Sequence, residues 1–337
     1  MSHSKFSRRE ALRAFGIAFS SPGEQQTNEA PLVRLPPREE LVNSLEFEDV
    51  AKLKLTEAVY TAIAGSDRRA FDRMTFRPRR MTPTVDMDLS VGLFGEEHFT
   101  PILVGPVSEQ RQYHPEGELA TVRGASAARA ATIVSARSSV PMDQLAAAAT
   151  TPLWCSVYAE ADAPQLARRA VGAGCAAVCI TIGGPGSGAP DWNVIDQVRD
   201  GLDVPLLIKG VMTPDDAEAS LDHGASGIIV SSHGDVVGRR LVPIEVLPTI
   251  AGAVGVRAPV LIDGSIRRGS DILKAMVLGA QGVLLARPVI WGLAAYGADG
   301  VQSVIEMLQS AFARNMGSIG APNLASLDRD MVRIHSR

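Results

Sequence analysis

Lys209 and His233 are the side chains in this sequence whose types and surroundings point most directly to chemistry. Each closes an apolar run. Leu206-Leu207-Ile208 leads into Lys209-Gly210, and Gly227-Ile228-Ile229-Val230 leads into Ser231-Ser232-His233-Gly234. Between them, Pro214 to His223 has the period of a helix, so the order is buried strand, helix, buried strand, which implies neighbouring parallel strands. In such a sheet the carboxyl ends of the strands face one crevice, where ligands and reacting groups sit. A histidine there titrates near neutrality and serves as a base without a large pKa shift; the alternative is a histidine with a purely structural role.

Two further segments carry binding chemistry. Asp263-Gly264-Ser265-Ile266-Arg267-Arg268-Gly269 follows one apolar run, and Ala286-Arg287-Pro288 follows the next. Backbone N–H groups exposed by Gly and Ser, together with a helix N-terminus, cradle a phosphate, and a guanidinium binds it bidentately. The competing expectation makes Arg267 and Arg287 solvent-facing ion pairs.

The elements that must position these residues follow from the rhythm of the chain after Thr100. Strands are expected at Pro101 to Gly105, Thr132 to Ala136, Leu153 to Tyr158, Ala177 to Ile182, Leu206 to Gly210, Gly227 to Ser232, Val260 to Gly264 and Gly282 to Arg287. Helices are expected at Glu116 to Ala128, Ala163 to Ala173, Pro214 to His223 and Gly269 to Leu278, with Gly174, Gly224 and Gly279 as C-caps. Eight strand-helix units after an N-terminal helical segment from Phe47 to Ala64 predict an α/β fold, a (β/α)8 TIM barrel with a helical extension. No Gly-x-Gly-x-x-Gly joins a strand to a helix, which counts against a dinucleotide-binding sheet. Barrel geometry then sends Ser108, Ser135, Tyr158, Thr181, Lys209, Ser231, His233, Asp263 and Arg287 to strand ends. The stretch from Val289 to Met316 reads as an amphipathic helical pair with Trp291, Leu293, Val304 and Met307 as core positions.

Composition excludes several classes. The chain has 337 residues, 46% hydrophobic and 21% charged, with no apolar run long enough to span a bilayer, so a globular protein with ample core is expected. A formal net charge of -4 and no basic block with interleaved aromatics leave no footprint for nucleic acid. Cys155, Cys175 and Cys179 lie in apolar segments and read as buried, reduced thiols, not as a disulfide framework or metal site. Residues 1–45 form a polar extension ahead of one domain over 46–337. Ser7-Arg8-Arg9 before the apolar patch at Ala14 to Phe19 is similar to a twin-arginine export signal, but Ser20-Ser21-Pro22-Gly23 interrupts early. A cytoplasmic protein with a disordered or surface-draped extension is expected, and a degenerate signal to the periplasm is the alternative.

These motifs also carry a family resemblance. Lys209-Gly210 with Asp215 and Ala217, then Gly227 to Gly234, then Asp263 to Gly269 with Asp271 and Lys274-Ala275, stand in one order. Phe76-Arg77-Pro78-Arg79, His114-Pro115-Glu116-Gly117-Glu118 and the tail from Gly279 to Gly317 extend it over nearly everything after residue 47. The chain resembles the FMN-dependent α-hydroxy-acid oxidases and dehydrogenases, which include glycolate oxidase, lactate oxidase and mandelate dehydrogenase. The resemblance implies an FMN across the strand ends. Its phosphate would be held by Ser265, Arg267, Ala286 and Arg287, its ribityl chain would lie near Asp263 and Lys209, and Ser231 and Gly264 would also bind the cofactor. Pro106, Val107, Ser108, Ser135, Ser156 and Thr181 would contact the isoalloxazine ring. His233 would take a proton from a 2-hydroxy acid as hydride reaches flavin N5, and Lys209 would stabilise negative charge developing on the flavin. A homo-oligomer, commonly a tetramer in that family, is also implied.

Departures cluster on the substrate side. Gly183-Gly184 stands where the family has an aspartate that orients the histidine, and only Pro185 to Asp191 replaces a long mobile loop with a substrate-binding arginine. Ala62 falls where a substrate tyrosine is expected, which leaves Tyr158 to bond the substrate. After His233 an apparent one-residue insertion leaves Arg239 or Arg240, or neither, as the carboxylate ligand. Two alternatives to oxidation of a 2-hydroxy acid follow: a flavin-binding protein without turnover, and another FMN barrel reaction such as isomerisation. No motif identifies the electron acceptor, whether oxygen, quinone or a protein.

Overall fold

The computed structural model describes residues 35–65, 67–78, 86–183, 190–234 and 242–335. One compact unit runs over Pro36–Arg337. Its centre is a closed barrel of eight strands: β1 (Ile102–Val104), β2 (Thr132–Ser135), β3 (Leu153–Tyr158), β4 (Ala177–Thr181), β5 (Leu206–Val211), β6 (Gly227–Val230), β7 (Val260–Ile262) and β8 (Gly282–Leu285). Every strand pairs in parallel with its neighbour in the chain, and β8 closes on β1 through Val283 beside Ile102. All eight expected strands are present, and Gly174, Gly224 and Gly279 take the positive φ of C-cap glycines.

Alternation along the strands separates two cores. Ile102, Val104, Val134, Cys155, Val157, Val178, Ile180, Ile208 and Ile228 face outward into the cluster beneath the helices. Leu103, Ile133, Trp154, Cys179, Leu207, Ile229, Leu261 and Leu284 face inward and pack against one another inside the barrel. Two residues further along six of the eight strands the inward face turns polar. Ile133 is followed by Ser135, Trp154 by Ser156 and Tyr158, Cys179 by Thr181, Leu207 by Lys209, Ile229 by Ser231 and Leu261 by Asp263. The same alternation that fills the lower barrel with hydrocarbon thus delivers hydroxyls and charges to its carboxyl end.

A short hairpin, Val91–Leu93 with Glu96–His98, closes the other end. Its Phe94 and His98 rings meet Trp154 edge-on at 5.5 and 6.0 Å. The expected N-terminal helical segment is two helices, Glu46–Lys54 and Glu57–Ile63, because Thr56 caps the second by accepting from the Val59 N–H. The expected C-terminal pair lies within Arg287–Ile319, broken at Tyr296 and Gly297. Trp291, Leu293 and Val304 are buried as expected, whereas Met307 stays half-buried and Leu308 takes the core position. The three cysteines are buried and free, and burial pushes the Cys175 and Cys179 thiols up to about 12.

Residues 36–45, expected within the extension, pack on the barrel: Leu41 is buried, and Ser44 Oγ donates to the Arg267 carbonyl at 2.7 Å. Ser7-Arg8-Arg9 lies outside the described residues. Among the described residues no helix is long and apolar enough to cross a membrane.

Candidate active site

A cavity of about 450 Å³ opens at the carboxyl ends of the strands. Its wall includes Pro106, Val107, Ser108, Ser135, Ser156, Tyr158, Thr181, Lys209, His233, Asp263, Gly264, Ser265, Arg267, Ala286 and Arg287. Ser231, on the same inward register, is fully buried behind the wall. Arg239 and Arg240 lie outside the described residues, as do Gly184 to Ala189. Ala62 is on the wall, joined by Thr61, Tyr113, Leu284 and Ile290, which sequence reasoning did not assign to the site. Tyr113 directly precedes the His114-Pro115-Glu116 motif, and that neighbourhood was its only signal.

At the centre of the wall lies a buried ion pair. Lys209 Nζ sits 3.0 Å from Asp263 Oδ2 and donates to Ser231 Oγ at 2.9 Å, while Ser231 Oγ donates to Asp263 Oδ2 at 2.8 Å. Removing one partner of such a pair typically costs about 3–5 kcal/mol, because the other charge is stranded. Asp263 Oδ1 is buried with no partner among the described residues, an unsatisfied acceptor on a residue of the cavity wall. Hydroxyl pairs continue the polar layer around the barrel: Ser108 with Ser135 at 2.9 Å and Ser156 with Thr181 at 3.0 Å.

Arg267 and Arg287 are not solvent-facing ion pairs. Arg267 is 3% exposed, its guanidinium 4.8 Å above the Trp291 ring and bonded to the carbonyls of Ile266 and Gly65. Arg287 donates to the carbonyls of Gly65 and Gly234 at 2.9 and 3.0 Å. Burial and the neighbouring Arg287 cation pull Arg267 down to about 9, and burial lowers Arg287 as well. Arg267 Nε has no partner among the described residues. Two half-satisfied guanidiniums beside a Gly-Ser turn form a donor set that fits a phosphate dianion. Asp271 fixes that turn: fully buried, it accepts the backbone N–H groups of Arg267 and Arg268 at 2.9 Å each and pairs with Arg68.

His233 has φ 56°, and its backbone N–H donates to Ser231 Oγ at 3.2 Å. Its Nε2 lies 2.6 Å from the Ile182 carbonyl oxygen. Opposite, the Arg137 guanidinium covers the Tyr158 ring at 4.3 Å and forks onto Glu160 with both contacts at 2.7 Å. Tyr158 lines the cavity, and no described residue bonds its hydroxyl.

A (β/α)8 barrel whose strand ends join a phosphate cradle to a histidine and a buried lysine fits a phosphorylated cofactor. The chain matches the FMN-dependent dehydrogenase family over residues 58–189 and 182–334. It is 33% identical to a peroxisomal (S)-2-hydroxyacid oxidase of Arabidopsis thaliana over 88% of this chain and 97% of that protein. It is likewise 33% identical to 4-hydroxymandelate oxidase of Amycolatopsis orientalis over 86% and 97%. Among solved structures, mandelate oxidase with (S)-2-phenylpropionate superposes with a TM-score of 0.81 at 33% identity, covering 88% of this chain and all of that one. A mandelate oxidase variant with a hydroxylated FMN adduct matches at TM-score 0.81 and 32% identity over 87% of this chain. The chain belongs to the FMN-dependent α-hydroxy-acid oxidase and dehydrogenase family. It is an enzyme of that kind, and FMN is its cofactor.

Proposed function

We propose that this chain oxidises a 2-hydroxy acid to the 2-oxo acid, with His233 as the base. The observation that carries the reading is the convergence of His233, Tyr158 and the Lys209–Asp263 pair on one cavity wall, beside a cradle fitted to a phosphate. The relatives named for 2-hydroxyacid and 4-hydroxymandelate oxidation support the substrate class.

Arg267 and Arg287, with the turn Gly264-Ser265 and Ala286, would hold the cofactor's phosphate, and Asp263 Oδ1 would accept from its ribityl chain. Pro106, Val107, Ser108, Ser135, Ser156 and Thr181 would wall its ring, and Ser231 would steady Lys209 behind them. Bound FMN supplies the two-electron acceptor for hydride from the substrate carbon. His233 takes the hydroxyl proton at its unprotonated ring nitrogen, so that the carbonyl forms as the C–H bond breaks. Lys209 holds a fixed positive charge where negative charge develops, in a setting too dry to screen it. The Tyr158 hydroxyl donates to the substrate carboxylate; whether Arg239, Arg240 or neither adds a charge lies outside the described residues.

The visible spectrum of the purified holoenzyme under anaerobic conditions tests this reading, with glycolate, L-lactate and (S)-mandelate added in turn. Bleaching of the flavin band by any of them is expected, and admitting oxygen or a quinone then identifies the acceptor. A bound flavin that no 2-hydroxy acid reduces would favour the flavin-binding alternative and sink the proposal.

A further inference from the structure

We infer that Glu48 is a positioning residue for the cofactor phosphate: it fixes Gly65, whose carbonyl oxygen sets both arginines of the phosphate cradle. The inference rests on the assignment of the phosphate to Arg267 and Arg287 proposed above.

The two guanidiniums share one acceptor. Arg267 Nη2 donates to Gly65 O at 3.3 Å, and Arg287 Nη1 donates to the same oxygen at 2.9 Å. Their other main-chain bonds go to Ile266 O and Gly234 O. Two like charges this close repel, and the Arg287 cation helps to lower Arg267. A carbonyl oxygen bonded to both offsets part of that repulsion and limits the rotation of each planar fork.

That oxygen is held from the N-terminal side. The Gly65 N–H donates to Glu48 Oε1 at 2.6 Å, and the Tyr60 hydroxyl donates to the same carboxylate oxygen at 3.4 Å. Glu48 stands on the helix Glu46–Lys54, which is anchored by the buried Phe47 and Val50. Two residues before Gly65, the Ile63 carbonyl accepts from Trp291 Nε1 at 2.9 Å, and the Trp291 ring lies under the Arg267 guanidinium. Thr61 to Ala64, between these anchors, line the same cavity as both arginines. Gly65 has φ +62°, and a Cβ there would meet no atom within 4 Å, so its backbone conformation, not crowding, calls for glycine. With open space on that side, Gly65 depends on the Glu48 contact to keep its carbonyl in place. Asp271 does the corresponding work across the cradle, through the backbone N–H groups of Arg267 and Arg268.

The Glu48 carboxylate has two opposed effects. Its hydrogen bond to Gly65 is charge-assisted and sets the cradle. Its charge attracts both guanidiniums through space and repels a phosphate dianion. Positioning needs only an acceptor, whereas the repulsion needs the charge, so a neutral amide at this position separates the two.

The full chain, freed of flavin, is titrated with FMN and with riboflavin, which lacks the phosphate, and the ratio of the two affinities is the readout. Glu48→Ala should weaken FMN about tenfold, the scale of a charge-assisted contact, with riboflavin changed by less than about twofold. Glu48→Gln keeps an acceptor for the Gly65 N–H and should bind FMN at least as well as wild type. Wild-type FMN affinity in Glu48→Ala overturns the inference. A parallel loss of riboflavin also does, since Glu48 would then be a general prop of the fold, as does a loss in Glu48→Gln equal to that in Glu48→Ala. Arg267→Met keeps the two readings apart. Undiminished FMN affinity in that variant would sink the phosphate assignment, whereas a loss there beside an unaffected Glu48→Ala would sink this inference alone. If Glu48→Ala does not fold, amide exchange of the wild-type chain over residues 61–65 decides: slower exchange with FMN bound than with riboflavin bound is expected, and equal exchange overturns the inference.

Discussion

The phosphate side of the cavity and its substrate side are built in different ways. Around β7 and β8, Arg267 is 3% exposed, Asp271 is fully buried and holds two backbone N–H groups and Arg68, and Ser44 and Gly65 reach in from the N-terminal segment. Around β4 and β6, the His233 ring meets the Ile182 carbonyl, glycine occupies position 183, and Tyr158 is only half-buried under a surface arginine. On the proposed reading the phosphate contacts and the proton-transfer group would be separable, with the Lys209–Asp263 pair common to both sides.

The largest separation should come from His233→Ala. Loss of the base removes roughly 10²- to 10⁴-fold of rate, so bleaching of the flavin by substrate should fall by at least about a hundredfold. The flavin-to-protein ratio should not change, because the proposal assigns the phosphate to Arg267 and Arg287 and only proton transfer to the His233 ring. Stopped-flow reduction and a flavin count measure both, and joint loss would break the comparison.

Arg267→Met is the converse. It removes a charge-assisted contact worth about 1.5–3 kcal/mol, so FMN should bind roughly ten- to a hundredfold more weakly in a fluorescence titration. When flavin is supplied in excess, bleaching by substrate should return to near the wild-type rate. A rate defect that survives saturation would mean that the two sides are coupled.

The same arginine sets a pH dependence. Free of ligand, Arg267 is held at about 9 by burial and Arg287, and a bound phosphate dianion favours its charged form. Below about 9 the free protein already carries the proton, so affinity for FMN is complete. Above it, binding must take up a proton, and affinity should fall by up to about tenfold per pH unit. Below about 6 the phosphate itself gains a proton and affinity falls again. Titrations from pH 5 to 10 should show that plateau, whereas the reductive step should follow the acid limb of His233.

How legible each side was in the sequence follows the same division. The cradle was readable because Asp263-Gly264-Ser265 and Arg267 state their chemistry by residue type, and strand alternation placed Ser135, Ser156, Thr181, Lys209 and Asp263 on one inward face. The hairpin under the barrel was not, since strands of three residues carry no usable period. Nor was the Ile182 carbonyl that the His233 ring meets, because it is a main-chain oxygen and no residue type announces it. The split of the N-terminal helix at Thr56 was a local signal that periodicity alone overran, since a threonine before Glu57 is a cap.

The smallest effect expected is that of Tyr158→Phe, and it tests whether the substrate side has any polar contact beyond His233. The ring should keep its place under the Arg137 guanidinium, which in turn is held by Glu160, so packing is preserved. Only the hydroxyl is lost, and a hydrogen bond of that kind contributes about 0.5–1.5 kcal/mol net. KM for a 2-hydroxy acid should rise about two- to tenfold, with kcat changed less and flavin affinity unchanged. An equal fall in kcat and kcat/KM would instead place the Tyr158 hydroxyl on the reacting atoms, where its bond forms only in the transition state. The substrate side would then hold two groups that act on the chemical step, and its contrast with the phosphate side would lie in what each binds more than in how firmly each is built.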